Sequence, residues 1–253
     1  MSLRPEPAGQ AADAAADPAA VELAPGLWLR RHQAPLRLAD YKLAAFDMDS
    51  TLIDIECVDE IAALAGRRAE VTAITEAAMR GEIPDYKDSL RRRVALLAGV
   101  PEAALQQMGE RRLRLNPGVE HFVATLRAAG LKTLLVSGGF TLFSERVRER
   151  LGLDFARANV LEIEGGRLTG RMVDQSWGDI VDGAEKRRTV LEVCAQLGIA
   201  PAQAIAVGDG ANDLPMMEAV GLSIAFHAKP AVRARADLSI VHGGMERALD
   251  LLR

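Results

Sequence analysis

Short apolar runs alternate with stretches of helical periodicity along most of this chain. Leu43-Ala44-Ala45-Phe46, Thr133-Leu134-Leu135-Val136 and Ala204-Ile205-Ala206-Val207 each read as a strand with both faces buried. Residues 223–226 and 238–241 are weaker members of the same set. Between them Phe143, Val147 and Leu151 recur at helical spacing, as do Val190, Val193 and Leu197 in a helix predicted to begin near Thr189. Strands that are apolar throughout and separated by helices predict an α/β fold, a parallel sheet covered on both faces. In such sheets ligands bind beyond the carboxyl ends of the strands.

Two stretches interrupt this alternation. Residues 55–114 are helical in pattern, with a turn at Gly81-Glu82-Ile83-Pro84, and they lie between the first two core strands. They predict an inserted helical cap. Residues 159–174 alternate around Gly165-Gly166 and predict a small β-hairpin within the core. Residues 1–40 open Ala-, Pro- and Asp-rich, and are expected to be a disordered or loosely docked leader. Leu27, Trp28 and Leu29 would dock onto the body, and ordered structure is expected from about Tyr41. The expected division is therefore a leader (1–40), an α/β core (41–54 and 115–253), a cap (55–114) and a hairpin (159–174).

Composition narrows the partners. The 253 residues are 49% apolar and 26% charged, with a net charge of −4. That balance gives no pull toward nucleic acid or anionic membranes. No apolar run approaches a membrane span and no signal peptide is visible, so the expected compartment is the cytoplasm. Cys57 and Cys194 stand far apart; parity permits a disulfide, but reduced thiols are expected there. Oligomeric state is left at monomer or homodimer.

The candidate chemistry falls at strand ends. Asp47 and Asp49 follow the first strand, two apart, so persisting extended geometry would turn both carboxylates toward one crevice. Their repulsion is tolerable if a cation binds or one of them takes a proton. An isolated D-x-D is also what a turn opening on capping aspartates looks like. The third strand, however, ends in Val207-Gly208-Asp209-Gly210-Ala211-Asn212-Asp213, where Asp209 and Asp213 add oxygen ligands of the kind magnesium takes. Ser137-Gly138-Gly139-Phe140-Thr141 follows the second strand, and a hydroxyl with free N–H groups at a helix start can cradle a phosphate or simply cap the helix. Lys186, before the helix at Thr189, would supply positive charge if the fold brings it over.

In order and wording these motifs resemble the haloacid dehalogenase superfamily, and within it the phosphoserine phosphatases. The resemblance runs from about Leu43 to the end and rests on D-M-D-S-T-L (47–52), the S-G-G-F turn (137–140) and V-G-D-G-A-N-D (207–213). Glu56, the run Ser89-Leu90-Arg91-Arg92-Arg93 and Ile224-Ala225-Phe226-His227-Ala228-Lys229-Pro230 narrow it further. It implies a Rossmann-like core with a helical cap and a hairpin. It also implies a phosphatase that hydrolyses O-phospho-L-serine through an aspartyl-phosphate. The rival is a related enzyme acting on another small phosphate ester, such as phosphoethanolamine, or transferring phosphate to homoserine.

The resemblance assigns roles as well. Asp47 is the nucleophile and Asp49 the proton carrier. Mg2+ is held by Asp47, the Asp49 main-chain carbonyl and Asp209, with Asp213 behind them orienting a metal water or Lys186. Ser137, Gly138 and Lys186 grip the phosphoryl oxygens, and Asn212 faces the substrate. In the cap, Arg93 would take the substrate carboxylate and Glu56 its ammonium, with Met79 and Tyr86 as an apolar wall.

Overall fold

In the computed structural model, which describes residues 20–32 and 34–253, the three strongest apolar runs form the middle of a nine-stranded sheet. The elements in chain order are β1 (Val21–Ala24), β2 (Leu27–Leu29), β3 (Leu43–Phe46), α1 (Cys57–Leu64), α2 (Arg68–Met79), α3 (Tyr86–Ala95), α4 (Glu102–Arg112), α5 (Val119–Ala128), β4 (Lys132–Phe140), α6 (Thr141–Leu151), β5 (Phe155–Glu164), β6 (Arg167–Val173), α7 (Gly183–Leu197), β7 (Ala204–Gly208), α8 (Leu214–Met217), β8 (Leu222–Phe226), α9 (Pro230–Arg233) and β9 (Leu238–Ile240). The strand order is β1-β2-β9-β8-β7-β3-β4-β5-β6. From β9 to β5 every neighbour is parallel, whereas β1, β2 and β6 add antiparallel edges.

Alternation along the strands explains the two-sided core. Ala44, Phe46, Leu135, Ile205 and Val207 pack on one face, where α1, α5 and α6 contribute Ile61, Phe122 and Phe143. Leu43, Ala45, Leu134, Val136, Ala204 and Ala206 pack on the other, against Val190 and Cys194 of α7 and Met216 of α8. Cys57 and Cys194 are both buried and unpaired. From β3 the chain winds outward through β4 and β5, then returns to the other side through β7, β8 and β9. β3 is thus the point where strand order reverses, and such a point opens a crevice at the carboxyl edge. Asp47 is the first residue past that edge.

Three expectations change. Ordered structure starts before Tyr41: Leu27–Leu29 pairs antiparallel with β9, and Leu27, Leu29, Leu36 and Leu38 are buried. The physical reason is the exposed edge of β9, which a short apolar strand covers. Residues 1–19 of the expected leader, and Gln33, lie outside the described residues. The helix carrying Val190 begins at Gly183 rather than near Thr189, because Asp182 caps it by accepting the Glu185 N–H at 2.8 Å. Lys186 is therefore in its first turn. Finally, the strand that enters the hairpin is longer than the alternating segment: β5 starts at Phe155 as a sheet neighbour of β4, whereas its pairing with β6 spans Val160 to Val173.

Helices α1–α4 leave the sheet after β3 and return before α5. The two connections run side by side, with the Asp54 N–H donating to the Arg114 carbonyl (3.1 Å) and the Asn116 N–H to that of Leu52 (2.9 Å). The α3–α4 turn is bonded to the hairpin tip: Gly99 N–H to Leu168 O at 2.8 Å, Leu168 N–H to Val100 O at 2.9 Å, and Glu102 N–H to Gly166 O at 2.9 Å. Among the described residues no helix is long and apolar enough to cross a membrane.

Candidate active site

The carboxyl ends of β3, β4 and β7 face α1, α2 and α3 across a cavity of about 500 Å³. Its core side is lined by Asp47, Asp49, Ser137, Gly138, Gly139, Asp209 and Asn212, and its helical side by Glu56, Met79, Tyr86, Ser89 and Arg93. Lys186 and Asp213 lie buried beneath that lining, with the Lys186 ammonium bonded to Asp47. All of the sequence-predicted site residues thus collect at one place, from five separate stretches of chain.

At the floor Asp47, Asp209 and Asp213 each offer a carboxylate oxygen, all within 4.8 Å of one another. The Lys186 ammonium, fully buried, donates to Asp47 Oδ1 and lies 2.6 Å from Asp213 Oδ1. Burial works against its charge, but Asp213 and Asp47 outweigh that and hold the ammonium above the ordinary lysine range. Asp213 Oδ2 also accepts the N–H groups of Asp209 (3.1 Å) and Gly210 (3.0 Å), so both of its oxygens are engaged from within the protein. Gly208 is required here, since a Cβ would stand 2.6 Å from the Asp213 carboxyl.

Three carboxylates around one ammonium leave the floor with excess negative charge. Burial, and next the Asp213 charge, push Asp209 up to about 6, although the Thr51 hydroxyl donates to it at 3.0 Å. Burial likewise raises Asp47 well above the ordinary carboxyl range, with Lys186 opposing. Such repulsion is relieved by a cation, and an all-oxygen donor set without histidine or thiolate suits a hard divalent ion. Asp47 and Asp209 have the free oxygens to hold it.

Asp49 differs from Asp47 in its surroundings. It stays outside the three-carboxylate cluster, so the two side chains do not share one role. Its Oδ2 accepts the Cys57 N–H at 3.0 Å, and its Oδ1 is buried with no hydrogen-bond partner. Burial first, then the charge of Glu56, raise its carboxyl to about 7. A carboxyl that exchanges a proton near neutrality suits a general acid and base.

The turn that follows the two acids is held in part by Asn116, a residue the sequence reading passed over. Ser50 has φ +60°, uncommon for a residue with a side chain. Its hydroxyl donates to Glu56 Oε1 at 2.7 Å. The Asn116 amide donates to the carbonyls of Ser50, Thr51 and Ile53 at 3.1, 2.9 and 3.1 Å. Thr51 was visible within its motif, whereas Asn116 carried no local signal because its partners lie more than 60 positions away.

Ser137, Gly138 and Gly139 protrude from the β4–β5 ladder. Val136 pairs with Arg157 and Phe140 with Asn159, so three residues of β4 oppose one of β5. The expectation of free N–H groups at a helix start is corrected in one respect: the Gly139 N–H is taken by Ser137 Oγ at 2.9 Å. A Cβ on Gly138 would stand 2.2 Å from the Tyr86 hydroxyl, and glycine is what lets that tyrosine close over the bulge.

On the helical side Arg93 makes one hydrogen bond, Nε to the Ser89 carbonyl at 3.4 Å, and meets no carboxylate within ion-pair distance among the described residues. Its neighbours Arg91 and Arg92 face outward, paired with Asp179 and Asp88. Glu56 is exposed on the rim at the start of α1. Met79 lines the cavity but remains 67% exposed, so it walls less than expected. Asp59 and Lys229 also line the cavity and carried no assignment in the sequence reading.

Comparisons with known proteins agree with this architecture. The family model for haloacid dehalogenase-like hydrolase matches residues 41–221. A phosphoserine phosphatase of Albidiferax ferrireducens is 66% identical over 231 residues, 91% of this chain and 98% of that protein. A phosphoserine phosphatase solved as a phospho-aspartyl intermediate analogue superimposes with a TM-score of 0.77 at 37% identity, covering 84% of this chain and 99% of the other. A substrate-bound phosphoserine phosphatase complex gives a TM-score of 0.77 at 36% identity, with the same coverage.

Proposed function

This chain belongs to the haloacid dehalogenase-like hydrolases, and on that premise we propose that it is a phosphatase hydrolysing O-phospho-L-serine, the last step of serine biosynthesis. The observation that carries the reading is an unpaired arginine, Arg93, facing the same cavity as the buried Asp47–Lys186–Asp213 group. One end suits a phosphate and the other a carboxylate. Phosphoserine carries both.

In this reading an Asp47 carboxylate oxygen attacks phosphorus, the P–O bond to the serine oxygen breaks, and Asp49 gives its proton to the departing oxygen. The product is an aspartyl-phosphate and free serine. Asp49, now ionised, takes a proton from water whose oxygen attacks phosphorus. The acyl-phosphate P–O bond breaks, returning Asp47 as carboxylate and releasing inorganic phosphate. Splitting the displacement in two lowers each barrier. Ser137, the Gly138 N–H and Lys186 neutralise the phosphoryl oxygens, and positioning with charge neutralisation supplies most of the catalysis in phosphoryl transfer.

Mg2+ is the cation we propose, held by Asp47, Asp209 and the Asp49 main-chain carbonyl; it would neutralise charge on the phosphate and the nucleophile. Asp213 is the acceptor behind it that fixes Lys186, and Asn212 faces the substrate. Arg93 takes the substrate carboxylate, a pairing its planar fork suits, and Glu56 takes the ammonium. Residues 55–114 act as the cap over a core of 41–54 and 115–253.

Phosphate release across a panel of esters with Mg2+ tests the reading. Phosphoserine should be turned over far faster than phosphoethanolamine. Comparable rates would favour the broader small-ester phosphatase, because a substrate without a carboxylate leaves Arg93 without a partner.

A further inference from the structure

Asn159 lies outside the cavity lining and has no exposed surface. It sits on β5 opposite Phe140, directly after the register break that makes Ser137, Gly138 and Gly139 protrude. Its amide nitrogen donates to the Gly138 carbonyl at 2.8 Å, and its amide oxygen accepts the Val181 N–H at 2.9 Å. Both ends of one buried side chain are therefore used, each on a different stretch of chain. Val181 is followed by Asp182, which caps α7 and whose carbonyl accepts the Lys186 N–H at 2.8 Å.

We propose that Asn159 is a positioning residue for the phosphoryl group, setting the bulge at Gly138 and the Lys186 end of α7 in fixed relation to each other. The physical argument is geometric. A bulge lacks ladder bonds at its extra residues, so the orientation of the Gly138 peptide is not determined by the sheet. The Asn159 donor determines it instead, turning the carbonyl into the protein. The Asn159 acceptor ties the same frame to the segment leading into α7. Groups that must meet one phosphate from two elements need such a cross-tie, since a displacement of about 1 Å can cost about 10²-fold in rate.

The inference rests on the aspartyl phosphatase reading but not on the identity of the ester, so p-nitrophenyl phosphate serves as the reporter. Asn159→Asp keeps an acceptor for Val181 and places a second acceptor against the Gly138 carbonyl; Asn159→Ala removes both bonds. Both variants should lower kcat about tenfold or more and weaken competitive inhibition by inorganic phosphate by a similar factor. Mg2+ affinity, read by calorimetry, should stay within about twofold, because Asp47 and Asp209 follow β3 and β7 and neither bonds to Asn159. The proposal is overturned if a folded variant retains wild-type kcat and phosphate inhibition, if metal affinity falls in parallel, or if neither variant folds. Wild-type protein that cleaves the aryl ester but not phosphoserine would defeat the substrate reading and leave this one standing.

Discussion

The Lys186 ammonium lies 2.6 Å from Asp213 Oδ1, and neither side chain has any exposed surface. Asp47, the nucleophile in our reading, accepts from the same ammonium. Removing the cation leaves two buried carboxylates facing each other. Lys186→Met should cost about 3–5 kcal/mol of stability and ~10² or more in kcat. Adding Asp213→Asn should recover part of the stability, by chemical denaturation, but none of the rate. Recovery of rate in the double variant would mean Lys186 serves the fold alone.

Asp49→Asn tests the proton carrier. An alkoxide leaving group needs a proton and a nitrophenolate does not, so kcat should fall by ~10² or more for phosphoserine. The first step with p-nitrophenyl phosphate should suffer much less, as read by the burst of nitrophenolate. Equal loss in both would remove Asp49 from the role of acid.

The raised carboxyls set a pH dependence. Asp49 moves from 3.8 to about 7 and Asp209 from 3.8 to about 6. Each binds its proton more tightly in the folded state, so its contribution to stability is full below the unfolded value and is lost as pH rises through the folded one. Metal-free protein should therefore lose thermal stability from this source between about pH 4 and pH 8, and Asp49→Asn should lose less. Mg2+ binding must displace the Asp209 proton, so its affinity should rise with pH through about 6. Calorimetric titrations at several pH values measure this, and an affinity independent of pH would argue against Asp209 as ligand.

Arg93→Ala should raise KM for phosphoserine by about tenfold or more, as expected for loss of a charge-assisted bidentate contact. KM for p-nitrophenyl phosphate should stay nearly constant. Equal effects would mean Arg93 does not read the carboxylate.

Asp179 links α3 to the segment before α7, accepting from Lys87 at 2.8 Å and from Arg91. The pairs are partly exposed, so Asp179→Asn should cost no more than about 1 kcal/mol. Because α3 carries Tyr86 and Arg93, KM should rise a few-fold, and more so for phosphoserine than for the aryl ester. A stability loss of several kcal/mol would contradict this peripheral role.

Much of the fold was legible in the apolar runs. A strand such as Leu43–Phe46, buried on both faces, has no polar alternative, and its neighbours repeat the pattern. The placing of acids and glycines just after those strands marked the site before any contact was known. Sequence alone thereby determined the sheet, its carboxyl edge and the residue types gathered there. The docking of Leu27–Leu29 was expected, but the start of ordered structure was set too late, because that segment is a strand only while the β9 edge is there to accept it. By residue pattern alone Asp47 and Asp49 look alike, and only the resemblance gives them different roles. The tertiary structure supplies the physical difference: one carboxylate joins Asp209 and Asp213, the other accepts the Cys57 N–H, and Asn116 holds the chain just after them. Those partners are remote in sequence, and a carboxyl's protonation depends on which neighbours surround it rather than on the motif that contains it.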